Sequence, residues 1–135
     1  MFFKLYLIAL PLLILLDLLW IGVLAKDLYK SQIGFLMKAS VNWVGVALFY
    51  LIFIAGLVVF AILPSVEKSS LAHAILMGGF FGLVTYATFD LTNLAILKDW
   101  PVLITLVDLL WGSVLGALVS GGTFYIARYF FFAQS

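Results

Sequence analysis

The sequence predicts an all-α integral membrane protein, a four-helix transmembrane bundle with short turns and one longer interfacial connection. Three observations carry that prediction. Hydrophobic residues make up 67% of the chain and charged residues 10%, with a mean hydropathy of +1.30, values far from those of an ordinary soluble domain. The apolar residues fall into four continuous runs, at about 3–25, 39–63, 71–97 and 102–131, that break at charges and prolines. Each run exceeds the ~20 residues that a helical crossing needs. The runs are long and do not alternate, whereas a membrane barrel requires at least eight segments of about ten alternating residues. With 135 residues, four crossings use nearly the whole chain, so residues 1–135 are expected to form a single transmembrane domain.

The first run ends in Val23-Leu24-Ala25, which resembles a signal-peptide cleavage site. Asp17 interrupts what would be the hydrophobic region, so this run is expected to stay as helix one. Residues 26–38 form the longest connection. Within it Tyr29, Ile33 and Leu36 recur at helical spacing, the pattern of a short amphipathic piece lying at the interface and covering something beneath it. Pro64 to Ser70 and Lys98 to Pro101 are short and turn-like, which makes helices two and three, and three and four, antiparallel neighbours. Pro101 suits the first turn of helix four.

Composition also excludes functions. The chain has no cysteine, which removes disulfides, thiolate nucleophiles and iron–sulfur ligation. The formal net charge is +1 and the basic residues are scattered, so no nucleic-acid surface is expected. A single histidine offers no metal cluster. His73 falls near a helix end, where a lone imidazole is commonly an interfacial polar group. Neither a metal nor a cofactor is expected.

The informative feature is a tetrapeptide that occurs twice, Asp17-Leu18-Leu19-Trp20 and Asp108-Leu109-Leu110-Trp111, in the first and last apolar runs. A third aspartate, Asp90, lies in the third run. Half of the six acidic residues therefore sit where hydrocarbon should be. Ionisable residues there are costly and mark a ligand site, a proton site or a hydrogen-bond anchor between helices. Let side A be the surface carrying the N-terminus and side B the one carrying residues 26–38. Counting ~1.5 Å per residue places Asp17, Asp90 and Asp108 all ~10–12 Å below side B, although they reach that level from helices of both directions. Asn93, Asn42 and Trp43 come near the same surface, with Tyr50 slightly deeper.

Helical faces refine this picture. Gly78, Gly82, Tyr86 and Asp90 follow one ridge of the third helix, and Asp108, Gly112, Gly116 and Ser120 one ridge of the fourth. Small residues at that spacing let two backbones approach closely. The expected pocket on side B draws on Asp17, Asp90, Asn93 and Asp108, with Trp20, Trp111, Tyr86 and Tyr50 as walls. Trp43 and Trp100 read as members of the interfacial aromatic belt. If the repeated tetrapeptide reflects duplication, its copies lie on antiparallel helices, as in inverted-repeat transporters. A four-residue match in leucine-rich sequence is a thin basis for that.

Asp17-Leu18-Leu19-Trp20-Ile21-Gly22, Tyr86-Ala87-Thr88-Phe89-Asp90-Leu91-Thr92-Asn93 and Asp108-Leu109-Leu110-Trp111-Gly112 together resemble the signature of a bacterial predicted-membrane-protein family catalogued as domain of unknown function 2177. The likeness includes Trp43 and Phe49-Tyr50. It implies four spans and a bacterial cytoplasmic (inner) membrane, and it brings no assigned reaction.

The residues leave three classes of function. One is binding or transport of a small cationic or polar ligand or of protons, with carboxylates as the site and aromatic rings as walls. Another is an enzyme or accessory factor in lipid modification, with Lys26, Lys30, Lys38 and Lys98 drawing anionic head groups to the mouth. The last is a structural or assembly subunit whose polar core fixes helix packing. The first is the favoured reading, ahead of covalent chemistry, so the balance is against an enzyme, and membrane lipids and a second copy of the chain are the further partners considered. Side B carries those four lysines and side A carries Lys4, Lys68 and Arg128, which by the positive-inside rule turns side B to the cytoplasm by one residue.

Overall fold

A computed structural model describes residues 1–132 of the chain. Among the described residues, four helices are long and apolar enough to cross a membrane: α1 (Phe2–Leu24), α3 (Trp43–Glu67), α4 (Leu71–Ile96) and α5 (Val102–Phe131). Between α1 and α3 lies α2 (Lys26–Ile33), extended by one 3₁₀ turn at Gly34–Leu36. No strand occurs among the described residues. The all-α four-span architecture agrees with the sequence reading.

The ends of α3 differ from expectation. The predicted span began at residue 39, whereas the helix begins at Trp43 because the Asn42 side chain accepts a hydrogen bond from the Gly45 N–H at 3.3 Å and so caps the first turn. The predicted span ended before Pro64, whereas the helix runs on to Glu67. A wide π-type turn at Val58–Ile62 precedes the proline, which then sits in the first turn of the next α segment, Leu63–Glu67. There its missing N–H costs little. The turn between α3 and α4 is thereby reduced to Lys68, Ser69 and Ser70. Ser69 takes a left-handed φ of 50°, and Ser70 caps α4 by accepting from the His73 N–H at 3.1 Å. The turn into α5 places Asp99 at φ 59°. Pro101 is the N-cap of α5, one position before the first turn.

The closest packing joins α4 to α5 along the two small-residue ridges. A Cβ added at Gly82 would strike the carbonyl of Gly112, and one at Gly78 or Gly116 would strike the other helix's backbone. Only glycine allows this approach, in which dispersion between backbones replaces the hydrophobic drive that lipid removes. Helix α1 adds one buried ridge, Leu5, Ala9, Leu13 and Asp17, at i, i+4 spacing. Helix α3 closes the side-A half with Phe53, Ile54, Leu57, Val58, Ala61 and Ile62, which meet Leu115, Val119 and Ala127 of α5 in a single apolar core. From Trp43 to Ile52 no residue of α3 is buried. The bundle is therefore packed in its side-A half and open beside α3 in its side-B half.

Candidate functional site

The side-B half contains a cavity of about 450 Å³ bordered by α1, α2, α3, α4 and α5. Its polar lining comes from Asp17, Tyr29, Tyr50, Thr85, Tyr86 and Asp108. Its apolar walls include Ile21, Val46, Phe49 and Phe89. This size and this mixture of apolar walls with a few convergent polar groups fall in the range of small-molecule sites.

Each element positions one part of the site. Asp17 is the side-B end of the buried ridge of α1 and is 4% exposed. Its Oδ2 accepts from the Tyr50 hydroxyl at 2.6 Å and its Oδ1 from the Trp111 indole N–H at 3.2 Å, so one carboxylate ties α1 to α3 and α5. Tyr6 adds a second tie, donating to the Leu51 carbonyl at 3.0 Å. On α5, Asp108 accepts from the Tyr29 hydroxyl at 2.6 Å, and Tyr29 in turn accepts from the Trp20 N–H at 3.2 Å. The two indoles stack, with ring centroids 4.6 Å apart and planes 9° from parallel.

This arrangement pairs the two tetrapeptides with each other. Because α1 and α5 run antiparallel, each aspartate lies across from the other copy's tryptophan. Trp111 bonds Asp17 directly, and Trp20 reaches Asp108 through Tyr29. All of these donors are neutral phenols and indoles, so neither carboxylate has a basic residue among its hydrogen-bond partners.

The structure brings Asp17, Asp108, Tyr50 and Tyr86 to the cavity lining, with Trp20 and Trp111 stacked behind it. Tyr86 is wedged against Gly112, where a Cβ would collide with its ring. Asp90 is placed differently. It is 1% exposed, outside the lining, and neither of its oxygens accepts from an N–H or hydroxyl group. Its carboxyl lies beside that of Asp108, within hydrogen-bonding reach. Asn93 is half-buried and does not reach the lining. Thr105, three residues before Asp108, donates to the Pro101 carbonyl and accepts from the Trp100 N–H. Trp100, read from the sequence as part of the interfacial belt, packs edge-on against Phe89. Trp43 is 68% exposed. His73 bonds Ser65 Oγ at 2.8 Å and Lys68 Nζ at 3.2 Å on side A, far along α4 from the cavity.

Sequence reasoning left Tyr29 out of the site. Its position on the inner face of the amphipathic connection was the available signal, but the partner that turns it into a site residue lies 79 positions away. Burial and the hydrogen bond to Asp108 push the Tyr29 phenol well above the usual tyrosine range, so it stays a neutral donor. Phe49 and Phe89 also became visible only as cavity walls.

The geometry describes a membrane protein with a carboxylate-bearing cavity open within its spans. The chain matches the family described as predicted membrane protein (DUF2177) over residues 2–125, and it belongs to that family. Comparison with curated proteins and with solved structures gave no match.

Proposed function

We propose that this protein binds a small cationic or polar ligand within a bacterial cytoplasmic membrane and serves its transport, with Asp17 and Asp108 as the charged groups of the site. One observation carries this reading: two aspartates border one cavity and take hydrogen bonds only from neutral donors. Negative charge without a counter-ion is costly in a low-dielectric setting, and a cationic ligand or a proton supplies the missing partner. The aromatic walls add cation–π contact.

A second reading has its own support. The Tyr50–Asp17–Trp111 hydrogen bonds join three spans, as a structural anchor would. Binding of dodecylammonium to the purified protein separates the two. Under the ligand reading, the Asp17→Asn, Asp108→Asn double variant loses at least about tenfold in affinity, or about 1.4 kcal/mol. Unchanged binding with a lowered unfolding temperature would overturn the ligand reading in favour of the anchor.

A further inference from the structure

Two cavities of opposite character meet at Tyr29. Above the carboxylate cavity, toward side B, lies a second one of about 660 Å³ lined by Lys26, Lys30 and Lys38, with Phe35 and Met37 among its apolar walls. Ile21 and Tyr29 line both. A path through this region thus passes from three ammonium groups to two carboxylates, with one phenol between them. A cationic head alone leaves the lysines unexplained, and an anionic head alone leaves the aspartates unexplained.

We infer that the two cavities form one site for an aminophospholipid, with its primary ammonium held by Asp17 and Asp108 and its phosphodiester by Lys26, Lys30 and Lys38. This inference rests on the reading of the carboxylate cavity as a cation site. A primary ammonium carries three N–H donors, and each carboxylate keeps lone pairs beyond those its phenol and indole partners use. A quaternary ammonium has no N–H to offer them. Lysine is a compact point charge suited to a phosphate, and lysines at the membrane surface attract anionic head groups.

The acyl chains have a route as well. The side-B half of α3 carries no buried residue between Trp43 and Ile52, so the cavity opens sideways beside that helix. Phe49 of α3 and Phe89 of α4 line the cavity and are 43% and 56% exposed. They form an apolar rim facing hydrocarbon. A lipid entering sideways keeps its chains in the bilayer and places only its head between the helices, which a soluble phosphoamine would not need.

The test is lipid competition by native mass spectrometry. The purified protein is offered equal amounts of dioleoyl phosphatidylethanolamine, phosphatidylcholine and phosphatidylglycerol, with oleylamine and soluble phosphoethanolamine in separate arms. Phosphatidylethanolamine is expected to be retained at least about tenfold over the other two phospholipids. That preference should disappear both in Asp17→Asn, Asp108→Asn and in Lys26→Gln, Lys30→Gln, Lys38→Gln. The lysine variant changes only exposed side chains, so its fold is not at issue. Equal retention of phosphatidylcholine, or no effect of the lysine variant, overturns the inference. If oleylamine nevertheless binds in an aspartate-dependent way, the cation site survives without the phosphate site. If no amine binds, both readings fail. Displacement of the lipid by soluble phosphoethanolamine overturns the lipid source.

Discussion

The two halves of this bundle solve the same packing problem with different chemistry. On side A, contact between α1, α3 and α5 is apolar and complete: Leu5, Ala9, Leu13, Ile54, Leu57 and Val58 are all fully buried. On side B the same three helices are joined by phenol, indole and carboxylate groups, and α3 stands away from a cavity. In lipid, apolar contact between helices gains only dispersion, whereas a hydrogen bond fixes direction as well as distance. The side-A half therefore holds the fold, and it leaves the side-B half free to carry polar groups that a uniformly packed bundle would not tolerate.

Breaking the common frame should have the largest effect. Gly82→Leu places a side chain into the Gly112 carbonyl and should cost about 3 kcal/mol or more, seen as loss of monodisperse protein in detergent. Ile54→Ala hollows the side-A core and should cost about 2–4 kcal/mol by reversible denaturation, with dodecylammonium affinity unchanged. If that affinity falls as much as stability does, the two halves are not separable. Tyr29→Phe removes the donor to Asp108 while leaving the ring, and should cost about 1–3 kcal/mol. Trp111→Phe removes one N–H to Asp17 and the stacked indole partner. Its effect should be about 1 kcal/mol, together with a changed emission of Trp20 in a background of Trp43→Phe and Trp100→Phe.

The tyrosines offer a pH test of the same contrast. Since the Tyr29 pKa is raised in the folded protein, its contribution to stability is full below the ordinary tyrosine value of about 10 and is lost only as pH rises through the higher folded value. A spectrophotometric titration of the folded protein should show fewer than its six tyrosines ionising near pH 10, and Tyr29→Phe should leave that early amplitude unchanged. The smallest effect belongs to Gly45→Ala. A Cβ there meets nothing within 4 Å, so stability should stay within about 0.5 kcal/mol.

Much of this was legible in the chain because bilayer physics constrains sequence strongly. Span number followed from apolar runs, and the α4–α5 seam from glycines at i, i+4 spacing. The ends of α3 were less legible, since a side-chain cap at Asn42 and a π-type turn before Pro64 decide them locally. Asp17 and Asp108 were found because charge in hydrocarbon is conspicuous. Tyr29 was not, because a tyrosine near an interface is unremarkable until its partner is known. Asp90 shares their depth but turns into the α4–α5 seam, a matter of helix rotation that depth counting does not fix.

The sequence by itself determined four helical crossings, the level of the polar centre and the close approach of α4 to α5, because hydrophobic length, rise per residue and side-chain size are local quantities. The tertiary structure decided which groups meet. Antiparallel alignment set each aspartate across from the other copy's tryptophan, α2 brought Tyr29 onto Asp108, and the splay of α3 opened the cavity. Those contacts depend on helix rotation and tilt, which are fixed by packing between residues far apart in the chain.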